Sequence, residues 1–533
     1  MPSNMFSRRD FMRGVGAGAL AGSAVVRSAS ALAAPGSLFQ HGVASGDPLT
    51  DRVIIWTRVT PTRPGTVAVL WEVALDAAFA RIIRRGRVLT GADIDYTVKA
   101  DVLGLPAAAR LYYRFRADGQ LSPVGRTRTL PAGAVEQVKL AVFSCSNYPA
   151  GYFHVYAEAA RLDDLHAAIH LGDYIYEYPR GGYASGDAAA LGRVSEPAGE
   201  ILTLDDYRIR HAQYRTDPDL QALHAALPVI AVWDDHEIAN DTWRDGAENH
   251  SEGLEGLFTE RRAAAIKAYH EWMPTRVTDP AQPERIYRSF RFGNLLSLHM
   301  LETRLLGREE PISLLDLVNP ATAPAALAEF VSPDRQMLGQ EQVAWISQRL
   351  YESDATWQVF GQQVLMARME FPVSVLQALN PADTSPEAIA AGARAVNDYL
   401  TAKATAAINP ALLTPAQQAL LNPQINPKLG YNLDAWDGYP AAREVLLGTA
   451  AALGKRVISL AGDTHNAWYS DLTLRSGTKV GEEFATPGVS SPGLEEALAA
   501  LPPAQTTAIF RGVIDTLKFC DTYRRGFLLM TFT

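Results

Sequence analysis

From position 138 onward, short apolar runs stop abruptly at polar residues. Residues 138–143 (VKLAVF) run into Ser144-Cys145-Ser146-Asn147, 167–171 (AAIHL) into Gly172-Asp173, and 228–233 (PVIAVW) into Asp234-Asp235-His236-Glu237. Residues 295–301 end in Glu302-Thr303-Arg304, 357–360 in Gly361-Gln362-Gln363, and 456–461 in Gly462-Asp463-Thr464-His465. Such runs predict buried strands. Helical spacing across 153–166 and 207–226 predicts covering helices, so this part reads as a mainly parallel or mixed α/β sheet. Ligand sites of open α/β sheets form where strands end, and that is where the metal-competent side chains fall.

Before position 134 the pattern is all-β. Residues 53–59 (VIIWTRV), 67–73 (VAVLWEV) and 111–116 (LYYRFR) read as strands separated by Gly, Pro and Asp, the spacing of an immunoglobulin-like β-sandwich. A Pro/Gly/Ala break at 131–136 divides a sandwich, 36–133, from an α/β domain, 134–533. His41 and Asp47 read as residues that tie down the first turn. The stretch 378–429, rich in Ala, Asn and Pro, predicts short helices in an insertion, and 505–520 predicts a C-terminal helix; both are candidates to border a pocket. Arg208, Arg210 and Arg215 read as a solvated helix face, and His154, His166, His170, His211 and His224 as structural.

Composition narrows the classes. A chain of 533 residues exceeds one typical core. Its 47% hydrophobic and 20% charged residues are those of a globular protein. The net charge of -9 argues against nucleic-acid binding as the main business. Two cysteines, Cys145 and Cys520, provide no disulfide framework.

Residues 1–34 read as a targeting segment: Arg8-Arg9 precede an apolar Gly/Ala-rich stretch and an A-x-A end. The paired arginines followed by Phe11 resemble a twin-arginine signal. The expected partner is then the twin-arginine export machinery, and the expected location is periplasmic or secreted. The apolar run is too short to span a bilayer, and the mature chain has no span.

The strand ends supply Cys145, Asp173 with Tyr176, Asp235 with His236, and Asp463 with His465. Two metal ions held close need a bridging carboxylate, and Asp173 is placed for it. Thiolate and phenolate suit trivalent iron. Carboxylates with an amide oxygen from Gln362 or Gln363 suit calcium or another hard divalent ion.

The order Gly172-Asp173-x-x-Tyr176, Asp235-His236-Glu237, Gly462-Asp463-x-His465 resembles the metallophosphoesterase superfamily. With HGVASGDP, DRVIIWTRV, SCSNYPAGYF, HLGDYIYEY, VWDDHEIANDTW and GDTHNAWYSDL, the chain is similar to the PhoD-like alkaline phosphatases and phosphodiesterases along essentially its whole length. The resemblance implies a metallophosphoesterase-type αββα sandwich behind the N-terminal β-domain, and a hydrolase acting on small or polymeric phosphate esters. It implies Fe3+ on Cys145, Asp173, Tyr176 and His465, and one or two Ca2+, one of them on Asp173, Asp235, Asp463 and an amide near Gln362. His236 would bind the phosphate or protonate the leaving oxygen, and Asn147 would donate to a phosphate oxygen. Attack on phosphorus would come from a metal-bridging oxide or hydroxide. Glu237, Asn240 and Asp241 are read as support or a further calcium site.

Two places depart from the family pattern: Glu302, where many relatives have Asp, and Tyr523-Arg524-Arg525-Gly526-Phe527, which has Arg where His is common. A phospholipase D-like phosphodiesterase is an alternative within the family, and an exported, non-catalytic, metal-stabilised binding protein is one outside it. A serine hydrolase would need a G-x-S-x-G elbow, which the sequence lacks.

Overall fold

A computed structural model describes residues 36–379, 385–499 and 501–533, so the twin-arginine segment lies outside the described residues. Two seven-stranded sheets dominate. The first runs Leu528–Phe532, Val138–Phe143, Ala167–His170, Pro228–Ala231, Val43–Gly46, Arg52–Arg58, Thr97–Leu103. The second runs Arg288–Phe292, Leu296–Met300, Trp357–Gln362, Val457–Ala461, Lys479–Ala485, Ala467–Thr473, Leu517–Asp521.

Side-chain alternation explains how the sheets stack. In the strand Val457–Ala461, Ile458 and Leu460 join a core shared with Leu140, Val142 and Ile169 of the first sheet. Val457 and Ala461 face the opposite way, into a second core with Ile346, Leu350, Leu446 and Leu447. Helices Leu204–Tyr214, Pro218–Ala226 and Phe258–Trp272 cover the outer face of the first sheet. Gln340–Glu352 and Pro440–Ala452 cover that of the second. The αββα architecture expected from the family resemblance is therefore present. Ala167–His170 is parallel to both its neighbours, as is Val457–Ala461 to Trp357–Gln362 and Lys479–Ala485, so these carboxyl ends leave their sheets together.

The strands of the N-terminal sandwich all lie before position 134, and one of its layers is hydrogen-bonded to the α/β part. One of its layers is the separate sheet of Ile82–Thr90, Val67–Ala74 and Arg110–Ala117. The other layer, Val43–Gly46, Arg52–Arg58 and Thr97–Leu103, continues the first sheet, with Ser45 opposite Pro228 and Gly46 opposite Val229. A Cβ at Gly46 would meet Pro274 O at 2.3 Å and Val229 O at 2.6 Å, so this join requires glycine. Asp47 locks it: the buried carboxylate accepts from Arg288 Nε (2.9 Å) and Nη2 (2.7 Å) and from the Arg276 backbone N–H (2.6 Å).

Four expectations need revising. The insertion holds one 23-residue helix, Pro386–Ile408, rather than only short ones; Ser385 caps it and its Ala-rich sequence favours helix. The C-terminal helix is Pro503–Val513, after which Leu517–Asp521 and Leu528–Phe532 add one strand to each sheet. The chain after this helix is therefore part of both sheets as well as a candidate border of a pocket. Arg210 and Arg215 are buried and Arg208 is mostly so, where a solvated face was expected. The predicted helix 207–226 is in fact two, because Asp217 caps a new helix at Pro218 and the chain turns between them.

Candidate metal centre

The strand ends converge. Ligand atoms of Cys145, Asp173 and His465 lie within 4.8 Å of one another, as do those of Asp173, Asp235 and His236, and those of Asp173, Asp234, Asp235 and Asp463. Asp173 belongs to all three groups. Every member is buried.

The backbone is bent to achieve this. Cys145, Asp173, Asp463 and His465 have φ of 62°, 55°, 60° and 59°, a left-handed conformation that side chains with a Cβ rarely adopt. Strain of about 1–3 kcal/mol per such residue is a usual mark of functional sites. Gly172, with φ 104°, sits so close to the next strand that a Cβ would lie 2.3 Å from Asp234 Cβ. Glu237 clamps the two exits, accepting from Asp173 N–H (2.9 Å), Asp234 N–H (2.9 Å) and Tyr174 N–H (2.7 Å).

Tyr176 stands beside Asp173. Its hydroxyl donates to Asp173 Oδ2 (3.0 Å), accepts from Ser491 (2.7 Å) and lies 3.2 Å from His465 Nε2. The other ring nitrogen of His465, Nδ1, is 2.7 Å from Pro492 O and 3.2 Å from the Tyr183 hydroxyl. That contact turns Nε2 toward Asp173, 4.0 Å away. The His236 ring stacks on Tyr176 at 4.2 Å, and its Nδ1 is 2.7 Å from Glu177 Oε2. Asn147 is buried; its amide N–H donates to Tyr183 O (3.3 Å), and its Oδ1 has no partner. The Gln362 amide is taken up by Trp436 Nε1 (2.9 Å) and Ser459 Oγ (3.2 Å). That of Gln363 is taken up by Thr303, Trp233 O and Leu301 O.

The electrostatics call for cations. Burial raises the Cys145 thiol and the Tyr176 phenol well above their ordinary values, helped in both by the Asp173 charge. Burial, then neighbouring carboxylates, pushes Asp173 and Asp234 well above the usual carboxylate range. Burial pulls Asp235 the same way, but His236 and Arg304 together hold it below that range. Among the described residues, Asp173 Oδ1, Asp234 Oδ2 and Asp235 Oδ1 are buried without hydrogen-bond partners. Orphaned, inward-facing carboxylate oxygens beside a thiol and a phenol fit metal ions, which would remove both the repulsion and the missing bonds.

Sequence reasoning missed three residues here. Asp234 stands among the polar residues that end the run 228–233 but was not singled out as a ligand, yet it joins the carboxylate group. Glu177, unassigned from sequence, orients His236. Arg304 is fully buried, pairs with Asp234 and Asp434, and lies 3.8 Å from Asp235. A charged residue directly after the buried run 228–233 was the available signal for Asp234; Arg304 stands two residues beyond Glu302, the first charged residue after 295–301. Glu302, one methylene longer than its usual counterpart, accepts from the N–H groups of Arg304, Leu305 and Leu306 and from Trp233 Nε1, so it caps the turn that presents Arg304.

Comparison with known proteins places this arrangement. Residues 140–533 match the family model "PhoD-like phosphatase", and residues 6–131 match "PhoD-like phosphatase, N-terminal domain". The chain is 35% identical over 516 residues to "Alkaline phosphatase D" of Bacillus subtilis (strain 168), covering 92% of this chain and 77% of that protein. A solved structure described as "Structure of PhoD" superposes with a TM-score of 0.72 at 32% identity, covering 93% of this chain and 85% of that one. The chain belongs to the PhoD-like phosphatase family.

Proposed function

We propose that this phosphoester hydrolase works at a centre of two unlike metal ions that share Asp173. The single observation behind this reading is that Asp173 belongs to all three ligand groups, one containing a thiol and an imidazole and another made only of carboxylates. Cys145, Asp173, Tyr176 and His465 have the anionic and imidazole donors that suit Fe3+. Asp173, Asp235 and Asp463, with Asp234 beside them, offer the oxygens that suit Ca2+. When bound, the ions supply Lewis acidity and neutralise phosphate charge.

The chain's own residues supply orientation and a proton. His236, fixed by Glu177 through Nδ1, presents Nε2 over the site. Burial lowers its pKa, but the charges of Asp235, Glu177 and Asp173 outweigh that and raise it well above the ordinary value in the metal-free chain, which supports His236 as the proton donor to the leaving oxygen. The Asn147 amide has a second N–H to offer a phosphate oxygen. Ser491 and Asp173 fix the Tyr176 hydroxyl, and Pro492 O and Tyr183 fix His465. The twin-arginine segment supports export to the periplasm or beyond, with phosphate esters as the outside substrates.

The test is turnover of p-nitrophenyl phosphate and bis-p-nitrophenyl phosphate, with elemental analysis, before and after chelation. Calcium-dependent turnover in iron-containing protein is expected. Full activity in iron-free, chelated protein would overturn the reading.

A further inference from the structure

Away from the metal centre, the arginine face once expected to meet solvent encloses a group of buried polar atoms. Arg215 is fully buried beneath the N-terminal strands, its guanidinium carbon 4.3 Å from the Trp56 ring centre. Nη1 donates to the Tyr174 hydroxyl at 3.3 Å; Nε and Nη2 have no partner, and among the described residues no carboxylate pairs with it. Trp272 Nε1, both ring nitrogens of His211, His41 Nδ1 and the Tyr269 hydroxyl are likewise buried and unpartnered. They occupy one neighbourhood: Trp272 lies 5.8 Å from Trp56, 5.2 Å from His41 and 6.3 Å from His211, and His211 lies 6.5 Å from Tyr269, between ring centres.

The chemistry of the group is one-sided. Arg215 Nε and Nη2 and Trp272 Nε1 can only donate. Burial, with the charges of nearby arginines, lowers the pKa of both His41 and His211 to about 3, so neither adds positive charge. A buried, unpaired guanidinium is costly. Water would satisfy the donors and leave the charge standing; an anion does both. We propose that this junction between the N-terminal strands and the helices Leu204–Tyr214 and Phe258–Trp272 binds a small inorganic monoanion of the halide class against Arg215 and Trp272. Through Tyr174, whose N–H is held by Glu237 next to Asp173, the anion braces the strand exit from behind.

The experiment uses the full chain in two arms. Crystals grown in sodium bromide should show an anomalous peak at hydrogen-bonding distance from Arg215. Thermal unfolding at constant ionic strength, exchanging gluconate for chloride, should show a saturable rise in Tm that Arg215→Met abolishes, as expected for a ligand bound to the native state. No anomalous peak in bromide, or an equal chloride effect in wild type and R215M, would overturn the proposal. Should R215M fail to fold, the bromide peak decides.

Discussion

Glu177→Gln isolates the proton donor from the metal centre. The Glu177 carboxylate is fully buried, with Oε2 2.7 Å from His236 Nδ1 and Oε1 accepting from Asn240 N–H (2.8 Å) and Asn249 Nδ2 (2.8 Å). Glutamine keeps one carbonyl oxygen for the two asparagine donors but loses the charge that His236 needs. A hydrogen bond to a charged group contributes about 1.5–3 kcal/mol. If the bond serves mainly to hold the imidazole protonated and aimed, its loss lowers the rate about 10–100-fold, at about 1.4 kcal/mol per factor of ten. That loss should appear only where the leaving oxygen needs a proton. The assay therefore compares kcat on an alkyl phosphate with kcat on p-nitrophenyl phosphate, whose phenolate leaves unaided. The alkyl ester should lose the full factor and the aryl ester much less, with iron and calcium contents unchanged. Equal losses on both esters would refute the acid role and leave Glu177 as a packing residue.

Other perturbations test other parts. Tyr176→Phe should shift or abolish the visible charge-transfer band of iron-loaded protein; an unaltered band would remove Tyr176 from the iron site. Asp47→Ala leaves the Arg288 guanidinium without its bidentate partner, so unfolding should become easier by about 3–5 kcal/mol in a denaturant titration. Asp437 is raised to about 7 by burial and then by the Glu370 charge. Its folded pKa lies above the unfolded one, so the stabilisation it brings is complete below about pH 4 and is lost as pH rises toward 7. Over that window the loss is about 4 kcal/mol at about 1.36 kcal/mol per pKa unit. Asp437→Asn should therefore gain stability relative to wild type from pH 4 to 7, and parallel Tm curves would refute this.

What was legible in the sequence was local. Each buried run ends in the polar residues that form the site, so Cys145, Asp173, Asp235, Asp463 and His465 could be placed at strand ends from pattern alone. The left-handed backbone of Cys145, Asp173, Asp463 and His465 could not, because positive φ at non-glycine residues is held in place by packing between sheets. Nor could pairings across long separations: His236 meets Glu177 59 residues away, and Arg288 meets Asp47 241 residues away. Arg215 was misread for a different reason. Arg208 and Arg215 share one face of a helix and Arg210 lies opposite them, yet all three are drawn inward by packing against the N-terminal strands and the strand-exit loop, which the spacing of charges along one helix does not reveal. The sheet continuing from Pro228–Ala231 into Val43–Gly46 was equally hidden, since an N-terminal run of four residues carries no sign of its distant partner.

Arg304 ties these observations together. Four carboxylates, Asp173, Asp234, Asp235 and Asp463, lie within one ligand sphere, and Arg304, itself shared with Asp434, is the guanidinium paired among them. One positive charge cannot balance the group, and burial with the neighbouring carboxylates raises Asp173 and Asp234 well above the usual carboxylate range. Metal ions at such a group would compete with protons for the carboxylates, so affinity should fall as pH drops and bound metal should raise stability. Arg304 then has a structural task distinct from substrate binding: it pairs with Asp234 and Asp434 while the remaining carboxylates wait for metal, and Glu302 holds the turn that keeps it there. The bent strand exits and the buried guanidinium are thus parts of one arrangement, a cluster of buried negative charge that cations would complete.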